Sequence, residues 1–394
     1  MPRKPLADFP PTVLVTQTQA LADLCGRLRA EPFVTIDTEF MRERTYYPEL
    51  CVVQLGGAND IAVIDAQSPG IDLAPLGALL ADPAVVKVFH AARQDVEIFL
   101  ELFGAVPVPI FDTQVAAMVA GFGDQVGYDA LVSALAGGQI DKAHRFSDWG
   151  ARPLSASQIA YAAADVTYLR LAYLALCKRL EREGRLDWVR EEMEVLAAPA
   201  TYRADPETLW ERLRPRTSNR RMLGLLRAAV AWREREAQRI NIPRQRVVKD
   251  ESLLEIAAVA PATPEALARI RGVTRGFAEG RTGAGLIAAL QDAAALPDDH
   301  LPPAPRTRDG ARPSPALVSL LKVLLAAKSE EHHVAPKLLV SAEELDRLAV
   351  EDAPDLPVLH GWRREVFGND ALALKGGRIT LGVDGKRVKL HRVA

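Results

Sequence analysis

The chain has 394 residues, 48% of them hydrophobic, and a formal net charge of −2. That length exceeds one ordinary domain and supplies apolar residues for two or three separate cores, so a multidomain soluble protein is expected. The balanced charge argues against a generic polycation that coats nucleic acid, and Cys25, Cys51 and Cys177 lack the spacing of a disulfide framework or a zinc site.

"MPRKPLADFPPTVLV" carries no apolar stretch long enough for a signal peptide, and the later apolar runs are interrupted by Arg or Lys. A cytoplasmic protein without membrane contact is the expectation, and nothing in the sequence calls for an obligate protein partner.

The first half alternates strand and helix signals. β-rich runs occur at "FVTID" (33–37), "LCVVQL" (50–55), "DIAVID" (60–65) and "VVKVFH" (85–90), with helical segments after the third and the fourth. The first three, joined by short links, read as an antiparallel meander, and the later alternation reads as parallel additions, giving a mixed α/β sheet covered by helices. "LSASQIAYAAADVTYLRLAYLALCKRLERE" (154–183) reads as one long helix opened by a capping box, Ser155 with Gln158.

From Pro206 to about Ala295 the pattern is helical, punctuated by "NIPRQRVV" and "RGVTRGF". Residues 212–249 hold twelve Arg or Lys against two acids, Glu234 and Glu236, a density that suits an anionic partner as well as a solvated face. A linker rich in proline and charge follows at 296–315, then a last helical unit from Ala316. That unit closes with two alternating runs around a hairpin signal at Asp384-Gly385.

Three features carry chemistry. Asp37 and Glu39 stand at i and i+2 at the end of a strand, so both side chains leave one face, and two carboxylates that close require a proton or a cation between them. A hard divalent cation meets that requirement, although solvated acids at a strand end would look the same. Asp95 falls in the early turns of the helix after the strand ending at His90, where the helix dipole alone favours an acid. Tyr161 and Asp165, four apart on the long helix, share a face across three alanines, a spacing that brings phenol and carboxylate together and lets the helix approach a neighbour. Alanine is also simply a good helix former.

The order DxE, Asp after a later strand, then YxxxD on a capped helix resembles the three exonuclease motifs of the DEDD superfamily, tyrosine branch. "DTEFMRERTYYPELCVVQL", "FHAARQDVEIF", "FDTQVAAMVAGFG" and "SDWGARPLSASQIAYAAADVTYL" are similar to the bacterial ribonuclease D family. "WREREAQRINIPRQRVVKDESLLEIA" with "PEALARIRGV" resembles the HRDC module, and "AAKSEEHHVAPKLLVSAEELDRLA" with "LHGWRREVFGNDALALKGG" resembles a second HRDC-like domain. The resemblance implies a ribonuclease H-like exonuclease domain over residues 1–197, a first HRDC domain over 203–295, the linker 296–315 and an HRDC-like domain over 316–394.

It further implies a 3′–5′ exoribonuclease that trims structured RNA such as tRNA precursor 3′ ends with two divalent ions, Mg²⁺ or Mn²⁺. Asp37 would bridge the two ions, Glu39 and Asp165 would hold the one that activates water, and Asp95, through waters, the one beside the leaving 3′ oxygen. Tyr161 would orient the attacking water, because a phenol with a pKa of about 10 is a poor base at neutral pH. Phe40 and Met41, directly after DxE, and His90 would meet the terminal nucleotide. Lys142, Arg145 and Arg152 would reach phosphates beside "FSDWGARPL", and Arg233, Arg235, Arg239, Arg244, Arg246 and Lys249 would track an RNA backbone. The acids alone also fit a DNA exonuclease, against which the paired HRDC modules and the absence of polymerase motifs weigh. A catalytically silent RNA-binding scaffold would be expected to lack one of the acids, and none is missing.

Overall fold

The computed structural model describes residues 9–141, 143–144, 147–303, 313–352 and 354–393. They divide into two compact units, one of residues up to Glu39, Leu50–Pro199 and Gly310–Ala394, the other of Phe40–Glu49 and Ala200–Asp309.

The first unit is built on a six-stranded mixed sheet of β1 (Thr12–Val15), β2 (Phe33–Met41), β3 (Glu49–Gly56), β4 (Ile61–Asp65), β5 (Val86–Phe89) and β6 (Ile110–Asp112), in the order β1-β4-β3-β2-β5-β6. β3 and β4 are antiparallel, with Val53 opposite Ile64, while β1 lies parallel to β4, β5 to β2 and β6 to β5. The mixed α/β sheet is the one expected, with two strands more than the sequence signals suggest. β1 follows two prolines and has only four residues, and β6 has three, so neither is long enough to display alternation.

β2 lies inside the sheet, and Val34, Thr35 and Ile36 are fully buried. The buried Thr35 hydroxyl lies 2.8 Å from the Val166 carbonyl and 3.1 Å from that of Gly56. A Cβ on Gly56 would come within 2.4 Å of Thr35 Oγ1 and 3.2 Å of Val166, so glycine is what admits the long helix this close to the sheet.

The helices of this unit begin with α1 (Thr18–Leu28), α2 (Ala74–Leu80), α3 (Arg93–Phe103), α4 (Thr113–Val119) and α5 (Tyr128–Ala136). The long helix α6 (Ala156–Arg182) starts with the expected capping box between Ser155 and Gln158, and α7 (Leu186–Ala197) follows it. Among the described residues α6 alone is long and apolar enough to cross a membrane, yet Ala162, Val166, Leu169, Ala172, Leu176 and Leu180 along it are buried within the protein core.

The second unit is helical: α8 (Arg220–Ile240), α9 (Arg244–Val247), α10 (Asp250–Val259), α11 (Pro264–Leu267), α12 (Arg275–Glu279) and α13 (Arg281–Ala294). Its core gathers Leu223, Leu226, Val230, Leu253, Ile256 and Leu286. The Asn219 side chain caps α8, accepting from Arg221 N and Met222 N, and the other end turns through Asn241 in the left-handed region at φ 51°. Asn241 Oδ1 accepts from Tyr46 N and Tyr47 N, both at 3.1 Å, which ties the segment after β2 into this unit.

The C-terminal residues pack with the sheet unit. α14 (Pro315–His332), α15 (Pro336–Leu339), α16 (Ala342–Val350), the helical stretch 361–375 and the hairpin of β7 (Ile379–Asp384) and β8 (Arg387–Arg392) surround Leu321, Leu324, Leu348 and Phe367. The turn residues are Gly385 and Lys386, one position later than the Asp384-Gly385 signal, with Gly385 at φ 60° in the first central position. Part of the expected linker, residues 304–312, lies outside the described residues.

The C-terminal segment is docked on α7 and its start. Arg185 donates to the carbonyls of Val119 at 2.7 Å and His332 at 2.6 Å, and Trp188 stacks on Trp362 with ring centres 4.7 Å apart. Buried Glu192 accepts from Arg363 Nη2 at 2.6 Å and Trp362 Nε1 at 3.1 Å. Burial raises the Glu192 pKa, and Arg363 beside it opposes that rise. Removing only one member of such a pair leaves an uncompensated buried charge. Arg363→Met is therefore expected to lower stability by about 3–5 kcal/mol in urea unfolding. Glu192→Met combined with it should recover most of the loss, and an equal loss in both variants would show that the pair is not the clasp.

Candidate active site

Asp37 and Glu39 leave the same face of β2, as their spacing requires, and Asp165 on α6 meets them there. One carboxylate oxygen from each of the three lies within 4.8 Å of the others. They open into a cleft of about 360 Å³ that Tyr161, His90, Gln114, Tyr128 and Leu169 also line. Tyr161 comes to this cleft one helical turn before Asp165, with the Trp149 ring centre 6.1 Å and the His144 ring centre 6.2 Å from its own.

Asp95 is not in the close set. It is buried on the first turn of α3, where its Oδ1 accepts a 2.5 Å hydrogen bond from the Thr38 hydroxyl. Thr38, between the two acids of β2, points to the opposite face by the same alternation that puts Asp37 and Glu39 together.

Burial raises all four acids, and their mutual charge adds to it in three. Asp37 is pushed well above the ordinary aspartate range by burial and then by Asp165. Glu39 rises to about 9 through burial, Asp37, Asp165 and Asp95. Asp165 rises to about 7 through burial. Asp95 is raised by burial and Asp37 while the Thr38 hydrogen bond pulls it down. Three desolvated carboxylate oxygens at this separation are a hard, anionic donor set that suits a divalent cation.

His90 and Ala91 form the near wall. Ala91 is in the left-handed region at φ 59°, uncommon for a residue with a Cβ, and Asp112 holds it there. One Asp112 oxygen accepts from Ala91 N at 3.0 Å and also caps α4 through Gln114 N at 2.8 Å, while the other accepts from Ala92 N at 2.9 Å. Thr113 Oγ1 donates to the Phe89 carbonyl at 2.9 Å, so the 3.0 Å contact with His90 Nδ1 has the imidazole as donor. Burial lowers the His90 pKa. Tyr128 donates its hydroxyl to the backbone carbonyl of Asp165 and sets its ring 5.4 Å from His90.

Thr38, Asp112 and Tyr128 were not singled out from the sequence. Asp112-Thr113 before a helical run carries the signal of a helix cap, which would have found Asp112. Nothing local marks Thr38 or Tyr128, whose partners are 57 and 37 residues away.

The expected cationic contacts fare unevenly. Arg233 is corrected: it is 3% exposed, and Nη1 is spent on the Val248 carbonyl at 2.8 Å and Asp250 at 2.7 Å, so it cannot track a backbone. Arg152 is likewise structural, gripping Asp65 at 2.7 and 2.9 Å and the carbonyls of Cys51, Trp149 and Ala151. Arg244 sits on Glu234 at 2.8 Å, and Arg235 and Arg239 are exposed but paired with Glu207 and Glu236. Arg246 and Lys249 are exposed, and Phe40 and Met41 are half-buried within the second unit. Lys142 and Arg145 lie outside the described residues.

An acidic cleft at the end of a central strand in a mixed sheet is the arrangement of a nuclease that works with divalent metal. In agreement, residues 12–183 match the 3′–5′ exonuclease family and residues 222–290 the HRDC domain. The chain is 71% identical to ribonuclease D of Granulibacter bethesdensis and 69% identical to that of Gluconacetobacter diazotrophicus, covering 99% of this chain and 99% of the relative in both cases. Its structure is similar to that of Escherichia coli RNase D, an exoribonuclease involved in structured RNA processing. The TM-score is 0.79 and the identity 32%, covering 93% of this chain and 99% of that one. The chain belongs to the ribonuclease D family, and its activity is that of a 3′–5′ exoribonuclease.

The raised carboxylates make stability depend on pH and metal together. An acid whose folded pKa is above its unfolded value stabilises the fold fully below that unfolded value, about 4, and loses the contribution as pH rises through the folded pKa. For Asp165 and Glu39 the losses fall near about 7 and about 9. In EDTA the thermal midpoint should therefore decline as pH rises from about 5 to about 9, and Mg²⁺ should restore most at the alkaline end. Asp37→Asn should flatten both dependences in scanning calorimetry. A flat EDTA profile in the unsubstituted protein would separate the acids from any shared electrostatic site.

Proposed function

We propose that this exoribonuclease trims the 3′ ends of tRNA precursors and other structured RNAs, releasing 5′-mononucleotides by hydrolysis with two divalent ions, Mg²⁺ or Mn²⁺. The observation that carries the reading is the convergence of Asp37, Glu39 and Asp165 oxygens within 4.8 Å in one desolvated cleft. In this reading those three, with Asp95 acting through water, hold the ions. Such ions, when bound, acidify water and neutralise charge on the attacking and leaving oxygens.

The remaining roles belong to the chain. Tyr161, whose position in the cleft supports the tyrosine-branch reading, orients the attacking water from the cleft wall by a hydrogen bond. Thr38 keeps Asp95 from turning, and Asp112 holds the His90–Ala91 turn against the terminal nucleotide. Phe40 and Met41, which follow Glu39 directly, meet the terminal base or sugar. Arg239, Arg244 and Arg246 contribute backbone affinity, with Arg246 the most available of them.

The domain reading is an exonuclease domain over 1–197, an HRDC domain over 203–295, a linker over 296–315 and a second HRDC-like domain over 316–394, supported by the helical core around α14 and α16. A cytoplasmic location without an obligate protein partner fits this activity, and the apolar length of α6 is accounted for by burial.

The test is digestion of a 3′-extended tRNA precursor, labelled at its 5′ end, by wild type, Asp37→Asn and Tyr161→Phe in Mg²⁺, Mn²⁺ or EDTA. Wild type should give a ladder shortening by single nucleotides, dependent on metal and absent in Asp37→Asn. Tyr161→Phe should retain Mn²⁺ binding and lose about 10²-fold in single-turnover rate. Trimming in EDTA, or by Asp37→Asn, would show the carboxylates to be misassigned.

A further inference from the structure

The charge of the C-terminal segment is sharply divided. Residues 316–374 carry ten acids against six Lys or Arg, whereas residues 375–394 carry six Lys or Arg against one acid, Asp384. The reversal coincides with a change of structure from helices to the β7–β8 hairpin.

The hairpin has two faces. Leu381 pairs with Leu390 and Val383 with Val388 on one, and Ile379, Leu381 and Leu390 of that side join the apolar core beneath. On the other, Thr380 pairs with His391, Gly382 with Lys389 and Asp384 with Arg387. Thr380, Arg387, Lys389 and His391 are exposed, and Lys386 stands at the turn. A Cβ on Gly382 would meet His391 Nε2 at 2.7 Å, so glycine lets that imidazole lie flat across the outer face. Arg378, exposed two residues before Thr380, extends the cationic surface at the base of the ribbon, whereas Arg392 lies opposite Ile379 on the other face.

We propose that the outer face of this hairpin is a docking surface for the phosphate backbone of structured RNA. Alternate residues on one face of a strand stand about 7 Å apart, so Arg387, Lys389 and His391 form a row that can follow successive phosphates. The single acid does not close the site. Asp384 and Lys389 form a solvated pair with side chains 61% and 59% exposed, and an exposed pair of this kind exchanges readily for a phosphate. Two packed strands anchored on an apolar face hold the row in place more firmly than a charged tail would. The surface reads no base edges, so it adds affinity and salt dependence without sequence choice. It extends the functional reading above and depends on that reading only for the identity of the polyanion.

The test compares the full-length protein with a triple variant, Lys386→Ser, Arg387→Ser and Lys389→Ser, which leaves the apolar face untouched. A charge-preserving variant, Lys386→Arg with Lys389→Arg, serves as the control. Binding of a 3′-extended tRNA precursor is measured by fluorescence anisotropy in EDTA over a range of salt. The triple variant should bind at least about tenfold more weakly at low salt, with a plot of log K against log salt flatter by about 2, at about 0.7 per lost contact, and the control should match wild type. Unchanged affinity and slope in the triple variant would overturn the proposal, as would equal losses in both variants, which would mark a structural effect. Loss of binding to phosphatidylglycerol vesicles with RNA binding intact would reassign the face to a membrane surface. Failure of wild type to trim the precursor in Mg²⁺ would instead strike the functional reading, so the two failures are distinguishable.

Discussion

Like charges in a desolvated cleft repel, and the first unit is organised around holding them together. The cost is visible in the raised carboxylates of Asp37, Glu39 and Asp165, and among the described residues it is met by backbone hydrogen bonds and packing rather than by a neighbouring cation. The Thr35 hydroxyl links β2 to the Val166 carbonyl one residue beyond Asp165, and Gly56 removes the side chain that would hold the helix away. Tyr128 bonds the backbone carbonyl of Asp165 itself. The strand that carries two acids and the helix that carries the third are thus joined beside the acids.

The same economy extends to the fourth acid. Alternation along β2 sends Asp37 and Glu39 into the cleft and Thr38 to the other face, where its hydroxyl takes the Asp95 carboxylate. The five residues from Thr35 to Glu39 therefore carry two of the acids, tie in the helix that carries the third and restrain the fourth. Asp95 held this way is poised one shell back from the close trio, which agrees with its proposed action through water.

Much of this was legible in the sequence because it depends on local periods. The same-face carboxylates follow from the two-residue repeat of a strand, the Tyr161–Asp165 pairing from the helical turn, and the start of α6 from its capping box. What escaped depends on long-range partners. Arg233 and Arg152 look like free cations in a list of residues, yet Asp250 and Asp65 claim them, and no local pattern says which arginine will find a carboxylate. β1 and β6 are too short to alternate and exist because β4 and β5 offer them a parallel edge. The docking of the C-terminal segment rests on Glu192 and on partners 170 and 171 residues away, a distance over which pattern carries no information.

The turn before α3 shows how strain is placed where chemistry needs it. A left-handed Ala91 costs about 1 kcal/mol or more and persists only if its surroundings over-determine it. Asp112 does this from a neighbouring strand, one carboxylate accepting from two amides of the turn and from the first turn of α4. Thr113, the next residue, fixes the His90 ring through Nδ1 and the strand end through the Phe89 carbonyl. Two adjacent residues on β6 and α4 thereby set both the wall of the cleft and the start of the helix that presents Asp95. Asp112 can in this way govern the geometry of Asp95, the acid proposed to act through water, because its hydrogen bonds end on backbone amides that cannot rotate away.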